Sequence, residues 1–196
     1  MLDKTHLRQS MRRTRQALNA SQQQEASMAL THVLADFSLF KNSQHIAFYL
    51  ANGGEINPHP LVEAAWRMGI SCYLPVLAHN GDNQLIFARY TQQSILENNR
   101  YGIPEPKYSS DTIYPAQALD LVFVPLVAVD TEGNRLGMGK GYYDRTFAFL
   151  KRQPRPQKPT LIGLAHSFQI IDQINPSEWD VPLQGTATEH ELTLFR

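Results

Sequence analysis

Apolar positions near the amino terminus repeat with a helical period. Leu7, Met11 and Leu18 fall on one face of a predicted helix, while Lys4, Arg8, Arg12 and Arg15, three to four residues apart, line another. A second predicted helix opens on a capping box of Ser21 and Gln24 and carries Met28, Val33, Leu34 and Phe37 as its apolar positions. Residues 45–50, His-Ile-Ala-Phe-Tyr-Leu, read as a buried strand followed by the turn Asn52-Gly-Gly54. Asn57 and Pro58 supply the cap and first residue of a further helix ending near Gly69. Short strands are predicted over residues 71–75 and 85–87. Residues 91–118 are polar and contain Pro104, Pro106 and Pro115, the pattern of a long irregular surface excursion, and loops of that length are usually functional.

Residues 119–129 form the most apolar segment and are expected to be the central strand, leading into a glycine-rich stretch. A strand over 160–165 is reached across the proline-rich turn 154–159, and residues 186–195 add a last one. Strands alternating with helices predict an α/β fold: a single three-layer domain over residues 1–196, with a mainly parallel sheet flanked by helices. Ligands of such sheets gather at the loops after the carboxyl ends of the strands. Two loops therefore matter, the one after Leu50 with Glu55 and the one after Val129 with the glycines.

Composition narrows the partners. With 18 basic and 18 acidic residues among 196 the formal net charge is zero, which argues against nucleic acid or an anionic membrane as the main partner. No apolar run approaches the roughly 18 residues of a membrane span. Cys72 is the only cysteine, so no internal disulfide forms; its setting is that of a small core residue, and a reducing cytoplasmic compartment is expected. The basic amino terminus lacks the apolar core of a signal peptide.

The chemistry concentrates in Arg135-Leu-Gly-Met-Gly-Lys-Gly-Tyr-Tyr-Asp-Arg145. Gly137, Gly139 and Gly141 leave the backbone bare, so N–H groups can converge on an anion. Lys140 adds a positive charge inside the loop and Arg135 another at its edge. Residues 142–150 are compatible with a helix, whose amino terminus favours phosphate, and Asp144 stands one turn in, placed to meet a divalent cation carried by a polyphosphate. Tyr142 occupies the place a dinucleotide fingerprint gives to glycine, and Gly141 the place a Walker loop gives to Ser or Thr. A tight turn feeding two tyrosines into the core is the alternative.

These residues resemble the signature of the 5-formyltetrahydrofolate cyclo-ligase family, the methenyltetrahydrofolate synthetases. Lys4-x-x-x-Arg8, Leu50…Gly-Gly-Glu55, Gly102-Ile-Pro-Glu-Pro106, Val129-Asp-x-x-Gly-x-Arg135 and Trp179-Asp-Val-Pro182 follow in family order, so the similarity covers essentially the whole chain. The resemblance implies ATP- and Mg²⁺-dependent closure of 5-formyltetrahydrofolate, polyglutamylated or not, to 5,10-methenyltetrahydrofolate with release of ADP and phosphate. It implies Lys140 and Arg135 as catalytic residues. ATP falls to Lys4, Arg8, Arg135, Gly137, Gly139, Lys140, Gly141, Tyr142 and Tyr143. The folate falls to Leu50, Glu55, Tyr101, Met138 and Tyr142, and the metal to Asp144 and Asp180. The family often has a basic or bulky residue where Met138 stands.

Arg12 and Arg15 gain no role from the resemblance and are read as solvent-facing. His166 is read as a loop histidine satisfied by solvent, and His6, His32 and His59 lack metal-ligand spacing. A monomer is expected. Two other readings stay open. One is a non-catalytic nucleotide- or folate-binding protein, against which Lys140 and Asp144 together speak. The other is a kinase of another small acid, against which Glu55 and the Tyr101 loop favour a pterin.

Overall fold

The computed structural model describes residues 3–78, 83–152 and 158–195. Helix α1 (Lys4–Ala17) starts at Asp3, whose carboxylate accepts the N–H groups of Thr5 and His6. Helix α2 (Ala20–Ala35) starts at Asn19 rather than Ser21. Asn19 and Gln22 form the capping box, and the Ser21 hydroxyl donates instead to Glu25 one turn on. Two boxes overlap in this sequence, and Asn19 takes the cap because it holds the extended backbone that ends the link from α1. A short α3 (Ser38–Asn42) leads into β1 (His45–Ala47). Helix α4 (His59–Arg67) begins one residue later than expected, after Pro58, with Asn57 accepting the His59 N–H.

Strands β2 (Ser71–Leu77) and β3 (Leu85–Tyr90) follow, then β4 (Leu96–Asn98), β5 (Pro104–Pro106) and β6 (Ile113–Tyr114). Next come β7 (Leu121–Pro125), β8 (Ala128–Val129) and β9 (Arg135–Leu136). Helix α5 (Tyr142–Phe147), β10 (Thr160–Leu164), β11 (Gly185–Ala187) and β12 (Leu192–Leu194) complete the order. The main sheet runs β12-β11-β10-β7-β1-β2-β3-β6. Its middle, from β11 to β2, is parallel, and β12, β3 and β6 pair antiparallel at the edges.

Alternation along the strands makes the layers. Ile46, Leu121, Phe123 and Ile162 face Leu30, Leu34 and Leu61 of α2 and α4. Their neighbours Ala47, Val122, Val124 and Leu161 face Phe147 and Leu150 on the opposite side. Helices thus cover both faces, and Cys72 lies in the core.

Three expectations are corrected. Residues 91–118 are not irregular: they hold the β4–β5 hairpin and the edge strand β6. Residues 119–129 are not one strand, because the chain leaves the sheet after Pro125 and pairs β8 with β9 instead. Residues 186–195 form a hairpin of two strands. An apolar run shows burial but not where the backbone turns. The proline-rich turn falls largely on residues 153–157, outside the described residues.

The β8–β9 hairpin delivers the glycine loop, and Asp130 shapes it. Its buried carboxylate accepts the N–H groups of Glu132, Asn134 and Ile174 and the Asn134 side-chain amide. Leu7 and Met11 of α1 pack on Val127, Ala128 and Leu136 of this unit, which turns the basic face of α1 toward the loop. Replacing Asp130 by Ala strands buried donors, each costing about 1–3 kcal/mol. The expected loss is at least about 3 kcal/mol in urea unfolding, with Asp130→Asn losing less.

Candidate active site

From β1 the chain crosses to β2 on one side of the sheet and returns to β7 on the other. The loops after β1 and β7 therefore part at the switch point, where open α/β sheets bind ligands. A cavity of about 780 Å³ opens there. Lys4, Arg8, Leu50, Glu55, Tyr101, Arg135, Gly137, Met138, Gly139, Lys140, Gly141, Tyr142, Tyr143, Asp144 and Asp180 all line it. Fifteen residues scattered over the sequence thus share one volume.

On one wall lies the glycine loop. Gly139 and Gly141 hold left-handed backbone (φ +94° and +66°), and a side chain at Gly137 would meet only open space. Arg8 donates from Nε to the Gly137 carbonyl at 2.9 Å, and its guanidinium carbon lies 3.6 Å from where a Gly139 Cβ would stand. Lys140 is exposed toward the cavity. Helix α5 has only six residues, so the local positive potential comes chiefly from Lys4, Arg8, Lys140 and Arg12, which lines the cavity rather than facing solvent alone, and not from a long helix dipole.

Arg135 does not stand free at the loop's edge. It is buried, donating to the Val181 carbonyl at 2.9 Å and to Asp144 Oδ1 at 2.6 Å. The Val181 N–H also reaches Asp144 Oδ1, at 3.1 Å. Asp180 Oδ2 accepts the Ser177 N–H at 2.8 Å. Among the described residues no cluster of three or more His, Cys, Asp or Glu forms a metal cage. Two carboxylates beside a phosphate-sized loop are nevertheless the donor set Mg²⁺ uses, since it takes one or two from protein and the rest from substrate phosphates and water.

The opposite wall holds Glu55, and here the sequence reading of Arg15 and His166 is overturned. Arg15 is 2% exposed, with Nη1 3.8 Å from Glu55 Oε1 and 3.2 Å from the Leu126 carbonyl it donates to. Its backbone carbonyl lies 2.7 Å from where a Gly54 Cβ would project, so only glycine (φ +79°) permits the contact. The Gln23 amide donates to both the Arg15 and Gly54 carbonyls. His166 is buried, not solvated: Nε2 donates to the Gly54 carbonyl at 3.2 Å, and the ring stacks on Phe168. Burial lowers the His166 pKa, favouring the neutral ring. The one available signal for Arg15 was its place two turns beyond Arg8, on the same helix face.

Burial pushes the Glu55 carboxyl up to about 7, against the Arg15 charge and the Asn52 N–H that favour its anion. Burial also raises Tyr49 and Tyr143, an effect the Glu55 charge reinforces. At the mouth, the Tyr101 and Tyr142 hydroxyls meet at 3.0 Å and Arg100 donates to Tyr142 at 2.6 Å. The β4–β5 hairpin holding Tyr101 is fixed by Glu105, which accepts the Leu77 N–H and the Asn99 amide. Trp179, 70% exposed, flanks Asp180 on the rim; sequence reasoning quoted it only as part of a motif.

Fold and cavity define an α/β protein with one composite site, a cationic glycine loop facing a buried carboxylate. The family model of the 5-formyltetrahydrofolate cyclo-ligases matches residues 1–189. The 5-formyltetrahydrofolate cyclo-ligase of Escherichia coli K12 is 37% identical over 185 residues, 93% of this chain and 98% of that one. Its Haemophilus influenzae counterpart is 36% identical over 177 residues, covering 90% and 92%. The NMR structure of Aquifex aeolicus 5,10-methenyltetrahydrofolate synthetase aligns with a TM-score of 0.81 at 30% identity, over 98% of this chain and 93% of that one. The chain belongs to the 5-formyltetrahydrofolate cyclo-ligase family. Its activity converts 5-formyltetrahydrofolate to 5,10-methenyltetrahydrofolate. Among the described residues no helix is long and apolar enough to cross a membrane.

The raised Glu55 carboxyl has a consequence for stability. The folded protein keeps this proton up to about pH 7, whereas the unfolded chain releases it near 4.5. Between those values the unfolded state binds fewer protons, so stability falls as pH rises, and the loss is complete above 7. Glu55→Gln is expected to melt above the wild type at pH 8 and to converge with it near pH 4.5, checked by thermal melts across that range.

Proposed function

We propose that the two walls divide the substrates, with Mg-ATP on the glycine loop and the pterin of 5-formyltetrahydrofolate against Glu55. The single cavity joining Lys4, Arg8, Lys140 and the bare loop to Glu55 and Tyr101 carries this reading. Lys4 and Arg8 hold nucleotide phosphates together with the N–H groups of Gly137, Gly139 and Gly141. Lys140 follows the charge of the transferring phosphoryl group, and Arg135 supports it from below while fixing Asp144. Asp144 and Asp180 would hold Mg²⁺, which would supply charge to neutralise the phosphate oxygens. Glu55 accepts the N–H donors of the pterin, and Leu50, Met138, Tyr101 and Tyr142 flank the rest of the folate. Tyr143, between Asp144 and Glu55, borders both halves.

A formyl amide is a poor electrophile with a poor leaving group. The γ-phosphoryl group passes to the formyl oxygen as its bond to the ADP oxygen breaks. N10 then attacks the activated carbon, its proton is lost, and the carbon–oxygen bond breaks with release of phosphate. Positioned cations serve the first step, and proximity serves the ring closure. The compartment is taken as the cytosol and the working unit as a monomer.

Lys4→Ala and Arg8→Ala are expected to raise the KM for ATP about ten- to a hundredfold, from about 1.5–3 kcal/mol per charged hydrogen bond. Folate KM should change far less. Steady-state absorbance of the methenyl product at varied ATP and folate checks both. Asp144→Asn should lower turnover per folded molecule, with partial recovery at raised Mg²⁺. Unchanged turnover in a folded Asp144→Asn protein would remove the metal assignment.

A further inference from the structure

Arg15 is a buried cation with no place in the reaction described above. Arg15 borders the cavity while staying almost wholly buried, and its Nε hydrogen is buried without a partner. Orphaned donors of this kind are rare and call for a physical reason. The reason lies in its distance from Glu55. At 3.8 Å the pair is an ion pair without a direct hydrogen bond. A bidentate Arg–carboxylate pair would occupy the acceptor positions of Glu55. This looser one supplies charge and leaves Oε1 for a ligand, while Oε2 accepts the Asn52 N–H at 3.1 Å. Glu55 is 14% exposed, and that fraction belongs to a residue lining the cavity.

The surroundings leave the task to Arg15. Facing Glu55 are Tyr49 beyond β1, Tyr143 of α5, the Asn52 N–H of its own loop, and Arg15 of α1. Of these only Arg15 is a cation. Both tyrosines stay protonated in the working range because burial raises them. His166 behind Gly54 is disfavoured as a cation by its own burial. The same arginine fixes the loop mechanically, through its carbonyl against Gly54 and the Gln23 bridge.

We propose that Arg15 is the positioning residue of the folate half of the site, holding Glu55 aimed into the cavity as a charged acceptor for the pterin. This rests on the reading of Glu55 as the pterin's partner. Without Arg15 a buried carboxylate would lose its counter-charge and take up a proton.

The test uses the full-length enzyme with Arg15→Met, Arg15→Gln and Arg15→Lys, alone and combined with Glu55→Gln, at pH 7 and pH 9. Expected for Arg15→Met and Arg15→Gln is a folate KM about tenfold or more higher at pH 7, at least half recovered on a log scale at pH 9 as Glu55 reionises. ATP affinity by calorimetry should stay within about twofold. Arg15→Lys should restore most of the loss. In the Glu55→Gln background Arg15→Met should add less than about twofold. An equal folate defect at both pH values, additive with Glu55→Gln and not rescued by lysine, would mark Arg15 as merely structural and overturn the proposal. If Arg15→Met does not fold, the contrast of Arg15→Gln with Arg15→Lys decides by the same criteria. A Glu55→Gln enzyme with unchanged folate KM would instead remove the Glu55 assignment itself, a separate failure visible before any Arg15 variant is made.

Discussion

The docking of α1 is the constraint on which the rest depends. Leu7 and Met11 seat the helix on the β8–β9 unit, and the last turn presses the Arg15 carbonyl against Gly54. One rigid element thereby touches both loops of the switch point. From Lys4 to Arg15 is eleven residues, about 16 Å of helix at 1.5 Å per residue. That span lets a single helix present cations to the glycine-loop wall at one end and to the carboxylate wall at the other. Gly54 is glycine for the same reason, since any side chain there would collide with α1 before the helix could seat.

The two carboxylates of the cavity are treated in opposite ways by their arginines. Arg135 binds Asp144 at 2.6 Å, and the Val181 backbone closes the unit from both sides. Arg15 stays 3.8 Å from Glu55 and turns a hydrogen-bond donor to the Leu126 carbonyl instead. The tight pair offsets the charge of a carboxylate standing beside the cationic loop. The loose pair preserves acceptor capacity on the cavity side of Glu55. Distance, rather than residue type, separates the two roles.

Much of this was legible in the chain. Glycines at every second position have few other uses beside Lys140, and the fifteen residues to which the resemblance gave site roles line one cavity. The parallel sheet followed from strands alternating with helices. What escaped were features fixed by tertiary contact. Arg15 and Arg12 look alike in a basic stripe, yet one is buried and the other exposed, because only Arg15 lies under the Gly54 turn. His166 follows a strand end like any loop residue, and its burial depends on Gly54 and Phe168 arriving from elsewhere. Arg135 read as a free charge because its partners, Asp144 and Val181, are 9 and 46 residues away.

The zero net charge fits this internal arrangement. A globally basic surface would attract polyanions indiscriminately, whereas here Lys4, Arg8, Arg12 and Lys140 gather on the cavity wall of a chain with zero formal net charge. The cleft sharpens their field, because low-dielectric walls focus field lines into it. The glycine loop can then stay bare apart from Lys140, leaving its backbone N–H groups open to the cavity beside cations supplied by a separate helix. Such a division requires α1 and the loop to be registered within ångströms, and the Arg8 bond to the Gly137 carbonyl supplies that registration. The contact that shapes the glycine-loop wall is thus made by the same helix that, two turns later, shapes the Glu55 wall.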